Sequence, residues 1–430
     1  MSNNRAVRPV AVIGGNRIPF AKSNGPYAHA SNQDMLTTAL NGLVSRFGLS
    51  GARLDEVAGG AVLKHSRDFN LTRESVLGSR LDPTTPAFDL QRACGTSLEA
   101  TTAVANKIAL GQIDAGVACG VDTTSDAPIG VNEDFRRLLL DFNRAKSLGK
   151  RLGMVTRLRP KQVVPEIPRN AEPRTGLSMG EHAARTATKW GITREAQDSL
   201  AVTSHQRLAA AYDRGFFDDL VTGYLGVTRD GLLRGDTTAE KLARLRPVFG
   251  GPDGTMTAGN SSPLSDGAAT VLLSSDAWAK ERRLPVAAHL VDVQAGAVDF
   301  VGGDDGLLTA PVFIVPKLLA RNNLKLSDFD FIEMHEAFAS QVLATLAAWE
   351  DAEFCATRLG LDAPLGGVDR DRLNVNGSSL ATGHPFAATG ARIVATAAKL
   401  LADKGSGRAL ISICAAGGQG VTAILERQAR

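Results

Sequence analysis

Two cysteines far apart in the chain sit where structural cysteines rarely do: Cys94 in DLQRACGTSLEA and Cys414 in ISICAAGGQG. Between them lie two histidine segments, EMHEAFAS around His335 and SSLATGHPFAATGAR around His384. A thiol at a strand-to-helix junction, a thiol before a run of glycines and two imidazoles among small residues can make and break a carbon–carbon bond beside a thioester. That chemistry needs an acyl-carrying nucleophile, a base to activate it, a proton donor for the carbon and donors for the oxyanions.

Phe88–Gln91 reads as a strand and Gly95 onward as a helix, which puts Cys94 at a helix N-terminus. Unpaired N–H groups and the helix dipole stabilise a thiolate there. Gly95 permits a sharp turn and close approach of a ligand. A free cysteine is more often a small core residue; the strand–Cys–Gly–helix setting favours a nucleophile. Pro385 suits the first turn of a helix and makes His384 a neighbour of its N-cap. Small residues around His384 leave room for a substrate, and an imidazole within reach of a thiol can act as its base. Taken alone, His384 would read as a satisfied core histidine; beside three other reactive groups it does not.

His335 ends the strand DFDFIEM, with Glu336 and Ala337 expected to open a helix. A polar group at a strand end in an α/β layer can hold a water or an oxyanion, although such histidines also bond to backbone. Cys414 ends a strand before AAGGQG, whose glycines suggest N–H groups free to bind an oxyanion. Cys119 reads as core, and Cys355 as a helix residue without a role.

The rest of the chain must bring these groups together. Its 430 residues exceed one ordinary core and imply two or three domains. Hydrophobic content of 43% and charged content of 22% fit a globular protein. A net charge of +3 argues against nucleic acid as a partner and suits an anionic small molecule. Four cysteines without a CxxC pair form neither a disulfide framework nor a zinc site. A reducing, cytoplasmic setting is expected. The apolar run near the N-terminus is too short for a signal peptide and reads as a first buried strand. Its GGN is no dinucleotide fingerprint.

The two halves echo each other. A shift of 275 places Arg46 on Arg321, Leu49 on Leu324 and Val57 on Ile332, and a shift of 295 places Cys119 on Cys414. Each unit alternates strand and helix: Gln33–Phe47 helical, Glu56–Leu63 strand, Pro86–Gln91 strand, Thr96–Leu110 helix, Ala115–Val121 strand. The pattern predicts a layered α/β fold with a mainly parallel sheet. The helices after Cys94 and His384 lack a polar face, which predicts burial on all sides in a middle layer between two sheets. Residues 125–250 break the pattern and read as an inserted domain, with helical pieces at Gly180–Trp190 and Glu195–Arg214. Its basic run, Arg136–Lys161, is either a solvated face or a docking surface for an anionic ligand, a membrane or a partner.

Taken together these segments resemble the thiolase family, the 3-ketoacyl-CoA thiolases and acetyl-CoA acetyltransferases. The resemblance runs through AVIGGNRIPFAKSNG, the Cys94 segment, TAGNSSPLSDGAA, HEAFA, GHPFAATGAR and CAAGGQG, in that order over nearly the whole chain. HEAFA and HPFAATGAR look most like the thiolase subunits of fatty-acid oxidation complexes; many other thiolases carry Asn at the position of His335. The family implies a duplicated αβαβα fold with an inserted loop domain. The expected division is 1–124 for the half bearing the nucleophile, 125–250 for the insertion, 251–279 for the return to the first half, and 280–430 for the second half.

The resemblance also implies roles. Cys94 is the acyl-carrying nucleophile, His384 its activator and Cys414 the acid/base. His335 holds a water that completes one oxyanion site with His384, and the backbone N–H groups of Cys94 and Ala416 form the other. Ser262 contacts the pantetheine arm, which Met179 and Phe338 line. Coenzyme A is then a substrate, and no metal or redox cofactor is required. A homodimer or tetramer is implied, with a hydratase/dehydrogenase partner left open. Three positions depart from the family pattern: Gly377-Ser378 replaces a Gly-Gly pair, Ala416 replaces a glycine, and Ser178 replaces a histidine before Met179-Gly180. Two other readings compete. A ketoacyl-synthase-like condensing enzyme would not need Cys414, and a catalytically silent acyl-CoA-binding subunit would not need all four reactive groups.

Overall fold

The computed structural model describes residues 7–156 and 158–429. Among the described residues one main sheet runs Phe331–Met334, Gly407–Ala415, Gln419–Arg427, Ala288–Ala297, Val10–Arg17, Ser265–Ser274, Ala115–Asp122, Glu56–Gly59 and Ala87–Asp89 in spatial order. Its midline is a short antiparallel contact in which Val10, Ala11 and Val12 face Leu290, His289 and Ala288. The two sides have the same strand order outward from this line. Val10–Arg17 is followed by Ser265–Ser274, Ala115–Asp122 and Glu56–Gly59; Ala288–Ala297 is followed by Gln419–Arg427, Gly407–Ala415 and Phe331–Met334. The 275-residue shift carries Glu56–Gly59 onto Phe331–Met334.

The expectation of a mainly parallel sheet fails. Only the pairs at the outer ends are parallel, and the pairs between them are antiparallel. The reason is the connections. Gly407–Ala415 returns directly through Ala416, Gly417 and Gly418 into Gln419–Arg427, and so tight a turn can join only antiparallel neighbours.

Alternating side chains divide the apolar residues among three cores. Along Val10–Arg17, Val10 and Val12 enter an inner core while Ala11 and Ile13 face an outer one. Along Gly407–Ala415, Ala409, Ile411 and Ile413 enter the inner core and Leu410 a second outer one. The inner core holds the helices Thr96–Ala109 and Thr389–Lys404. Helix Asn32–Arg46 covers one outer face; helices Ala310–Arg321 and Ala339–Glu350 cover the other. The result is five layers, αβαβα.

The two central helices meet at Gly390. A side chain there would place its first carbon 2.4 Å from the backbone nitrogen of Leu98. The Ala391 N–H instead donates to Ser97 Oγ at 2.8 Å. This contact draws together the two helix N-termini that follow Cys94 and His384.

Residues 125–250 supply helices Met179–Lys189 and Arg194–Asp213. Their basic run forms helices Glu133–Arg144 and Leu148–Val155, neither of which has a buried residue. No described helix is long and apolar enough to cross a membrane.

A buried ion pair ties the segment around Asp230 to the first strand. Arg17 meets Asp230 through two contacts, at 2.6 and 2.7 Å, and the Tyr212 hydroxyl donates to Asp230 Oδ2 at 2.8 Å. Removing one member of such a pair strands a buried charge. Asp230→Ala is expected to cost about 3–5 kcal/mol of stability, read as a lowered denaturant midpoint; an unchanged midpoint would contradict this role.

Candidate active site

The chain reaches Cys94 through a strained turn. Ala93 lies at φ +44°, the left-handed region that L residues seldom adopt. Turn hydrogen bonds from Gly95 N to Arg92 O (2.9 Å) and from Thr96 N to Ala93 O (3.1 Å) hold it. Helix Thr96–Ala109 begins immediately afterwards, and its N-cap, Gly95, provides no side-chain bond. The thiol therefore sits at the N-terminal end of this helix.

His384 Nε2 lies 3.1 Å from Cys94 Sγ, and His384 Nδ1 lies 2.7 Å from Thr389 Oγ1. The hydroxyl behind the ring leaves Nε2 to address the thiol. Gly383, at φ +100°, turns the chain into this position, and any side chain there would strike Leu232 at 2.4 Å. The His384 N–H is held by Ser265 Oγ at 3.2 Å. The helix expected directly after Pro385 starts later: Phe386–Ala388 is a 3-10 turn and the α-helix begins at Thr389. The backbone N–H of Ala387 is held by the buried Asp122 carboxylate at 2.8 Å.

Cys94, His384, Cys414 and Ala416 line one small chamber of about 60 Å³ together with Ser262, Met179 and Phe338. Asn170, Leu308 and Phe386 are among its other wall residues. A larger hollow of about 740 Å³, lined by Arg8, Asp276 and His289 among others, contains no thiol. Chemistry, rather than size, distinguishes the smaller one.

His335 stands behind this chamber. It is fully buried, its ring centre 4.1 Å from that of His384. Its Nδ1 lies 2.8 Å from Ser379 Oγ, and its Nε2 has no partner among the described residues. The helix expected to open at Glu336 starts instead at Ala339. Glu336 is committed elsewhere: its buried carboxylate accepts from Ser204 Oγ (2.7 Å), Asn374 Nδ2 (2.7 Å) and Leu380 N (3.2 Å). These bonds keep His335–Phe338 extended, so that Ala337 and Phe338 reach the chamber wall. Ser262 N donates to Ala337 O at 3.0 Å, joining the TAGNSS loop to the same wall.

Burial sets the protonation states. The Cys94 thiol is pushed up to about 12 by burial, against the opposing pull of the Ala416 and Cys94 backbone N–H groups. The stabilised thiolate expected from the helix terminus is therefore not the resting state, because desolvation outweighs the local dipoles. The two N–H groups still converge on the sulfur. His384 is lowered to about 3 by burial and then by Arg392, so the ring rests neutral. Burial also lowers His335, followed by His384 and Arg392. Cys414 is raised well above the ordinary thiol range by burial and then by Cys94.

The AAGGQG turn differs in part from expectation. The Gly417 N–H is already taken by the carboxylate of Glu172, at 2.6 Å. The Ala416 N–H instead points to the Cys94 sulfur. Ser178 also has a local duty, capping helix Met179–Lys189 in a box with Glu181. Cys119 and Cys355 are buried and line no part of the chamber.

Cys94, His335 and His384 have donor atoms within 4.8 Å of one another. Sulfur and imidazole donors also suit a soft metal. The direct sulfur–nitrogen hydrogen bond and the second thiol across the chamber fit proton transfer.

A half-buried thiol bonded to a buried imidazole and facing a second thiol, set between two copies of one strand order, defines an acyl-transfer protein of a duplicated α/β class. Residues 10–277 match the thiolase N-terminal domain and residues 284–427 the thiolase C-terminal domain. The chain belongs to the thiolase family. The 3-ketoacyl-CoA thiolases of Pectobacterium carotovorum and Yersinia pestis are each 39% identical to it over 423 residues, covering 97% of this chain and 96% of theirs. Among solved structures, the Bacillus anthracis acetyl-CoA acetyltransferase has a TM-score of 0.81 at 29% identity, covering 99% of this chain and 100% of its own. Human mitochondrial 3-ketoacyl-CoA thiolase in complex with CoA has a TM-score of 0.80 at 28% identity, covering 98% of each chain.

Proposed function

We propose that this protein is an acetyl-CoA C-acyltransferase. It cleaves a 3-ketoacyl-CoA with CoA to acetyl-CoA and a shortened acyl-CoA, or runs the reverse Claisen condensation. The observation that carries this reading is the 3.1 Å contact between His384 Nε2 and Cys94 Sγ in a chamber shared with Cys414.

In the degradative direction His384 takes the Cys94 proton as the sulfur attacks the C3 carbonyl. The oxyanion is held by the Cys94 and Ala416 N–H groups. The C2–C3 bond breaks, leaving an acyl-cysteine and the enolate of acetyl-CoA. His384, now protonated, and His335 with its water hold the enolate oxygen while Cys414 delivers a proton to C2. Cys414 then takes the thiol proton of incoming CoA, whose sulfur attacks the acyl-cysteine. Cys94 leaves as the thiolate and recovers its proton from His384.

In this reading residues 1–124 and 251–279 form the half that carries the nucleophile, and 280–430 the half that carries the histidines and second thiol. Residues 125–250 form the inserted domain that binds CoA and makes oligomer contacts. Ser262, Met179 and Phe338 guide the pantetheine arm, supported by their place on the chamber wall. The protein acts in the cytoplasm as a homodimer or tetramer, alone or with a hydratase/dehydrogenase subunit.

The testing experiment is thiolysis of 3-ketoacyl-CoAs of graded chain length by the purified protein; no CoA-dependent cleavage at any length would end the proposal. The pH profile is a second check. The imidazole that accepts the Cys94 proton is neutral at every pH above about 3. The kcat/KM for thiolysis is therefore expected to show no acid limb near the ordinary histidine value of about 6.5. Rates measured between pH 5 and 8 test this, and a limb centred near 6.5 would assign the base elsewhere.

A further inference from the structure

Arg392, from the central helix Thr389–Lys404, is buried behind the two histidines. Its Nη2 donates to Ser379 Oγ at 2.8 Å, and both terminal nitrogens lie 3.3 Å from Ser378 Oγ. A guanidinium offers donors only. Ser379 Oγ is therefore an acceptor toward Arg392, and its own hydrogen must go elsewhere. Among the described residues the one acceptor within its reach is His335 Nδ1, at 2.8 Å. That bond makes Nδ1 the acceptor and leaves the proton of the neutral ring on Nε2. Nε2 is buried, without a partner among the described residues, on a ring 4.1 Å from that of His384.

His384 has the opposite assignment. Its Nε2 must accept from Cys94, so its Nδ1–H donates to Thr389 Oγ1. Two adjacent imidazoles thus rest as opposite tautomers, one a base toward the thiol and the other a donor.

We infer that Ser379, oriented by Arg392, is a positioning residue that fixes His335 as the Nε2–H tautomer and so keeps a donor aimed at the enolate oxygen or its water. The inference rests on the proposed carbon–carbon cleavage, because only that step forms an enolate. Ser379 touches no reacting atom. With the opposite tautomer His335 would present a lone pair to an anion, and the oxyanion site would become repulsive.

The test separates two reactions of the same protein. Thiolysis passes through the enolate; exchange of labelled CoA into acetyl-CoA passes only through the acyl-cysteine. Ser379→Ala is expected to lower the ratio of thiolysis kcat to exchange rate by roughly 10- to 100-fold, the range seen when the partner orienting a metal-bound imidazole is removed. KM should move little. In a His335→Asn background the same substitution should have no further effect on that ratio, because no tautomer remains to fix. An equal loss in both reactions, or the same loss without His335, would overturn the inference.

Folding of the variant is not essential to the test. Nitrogen-15 imidazole spectra of the wild-type protein, with His335 assigned by difference from His335→Asn, should show the proton on Nε2. A proton on Nδ1 would overturn the inference directly. A wild-type protein that performs exchange but no thiolysis, or neither reaction, would instead end the functional proposal.

Discussion

Replacing Cys94 with alanine is expected to lower thiolysis by roughly 10⁴- to 10⁶-fold, as loss of the nucleophile does in other acyl-transfer sites. No other nucleophile can take its place. Cys414 shares the chamber but lies outside the hydrogen-bonding reach of His384, whose Nε2 addresses Cys94 at 3.1 Å. The half-buried thiol does not ionise unaided, because desolvation holds it near 12. Attack is therefore coupled to proton transfer, and removing the sulfur removes both at once. The Cys94 and Ala416 backbone donors survive the substitution, so binding and a residue of oxyanion stabilisation should remain. Turnover with 3-ketoacyl-CoA, together with mass spectrometry of protein mixed with labelled acyl-CoA, measures both halves of the claim. The wild-type protein should carry the acyl group on Cys94 and the variant should carry none. Turnover within tenfold of wild type, or an acyl group found on another residue, would refute the assignment. A silent acyl-CoA-binding subunit would show no acylation even before substitution.

Much of this site could be read from the chain because each reactive group lies in a short segment whose local chemistry has few alternatives. Cys94 stands between a strand and a glycine that opens a helix, and His384 follows a glycine that only a positive φ explains. Such segments specify their own conformation. The relations between segments were less legible. The sheet's direction depends on the Ala416–Gly418 turn and on Ser265–Ser274 pairing antiparallel with Val10–Arg17, and neither leaves a periodic mark. The delayed helix after His335 depends on Glu336 finding Ser204, Asn374 and Leu380 across the fold. Local spacing gives a buried glutamate no sign of such partners. Asn170 on the wall and Glu172 on the Gly417 N–H come from an irregular stretch with no helical or strand pattern. Thr389 lies five residues after His384 inside a motif singled out for that histidine, whereas Ser379 partners His335, 44 residues earlier, a pairing that spacing does not show. The sign of the Cys94 shift was not accessible, because a helix terminus predicts stabilisation while burial, visible only in three dimensions, outweighs it.

Cys414→Ala is expected to slow carbon–carbon cleavage and acyl transfer to CoA alike, each by roughly 10²- to 10⁴-fold, the usual worth of a positioned acid or base. The thiol is nearly inaccessible and raised well above its ordinary range by burial and then by Cys94. At rest it is therefore a reservoir of one proton, the form required to quench an enolate at carbon. Once that proton is given up, the same burial makes its thiolate an unusually strong base, suited to take the proton of incoming CoA or, in reverse, a proton from C2 of acetyl-CoA. The group serves both half-reactions because one leaves it in the state that the next requires. Two measurements isolate these roles: deuterium uptake at C2 of acetyl-CoA in D₂O, and release of the acyl group from pre-acylated Cys94 by added CoA. Both should collapse in the variant, while acylation of Cys94 by acyl-CoA, slowed by the same factor as its reverse, remains detectable over a long incubation because the nucleophile and His384 are untouched. Loss of deuterium uptake with normal acyl release would confine Cys414 to the carbon acid step. Retention of both would remove the second thiol from the mechanism and favour a condensing enzyme built on one cysteine and two histidines.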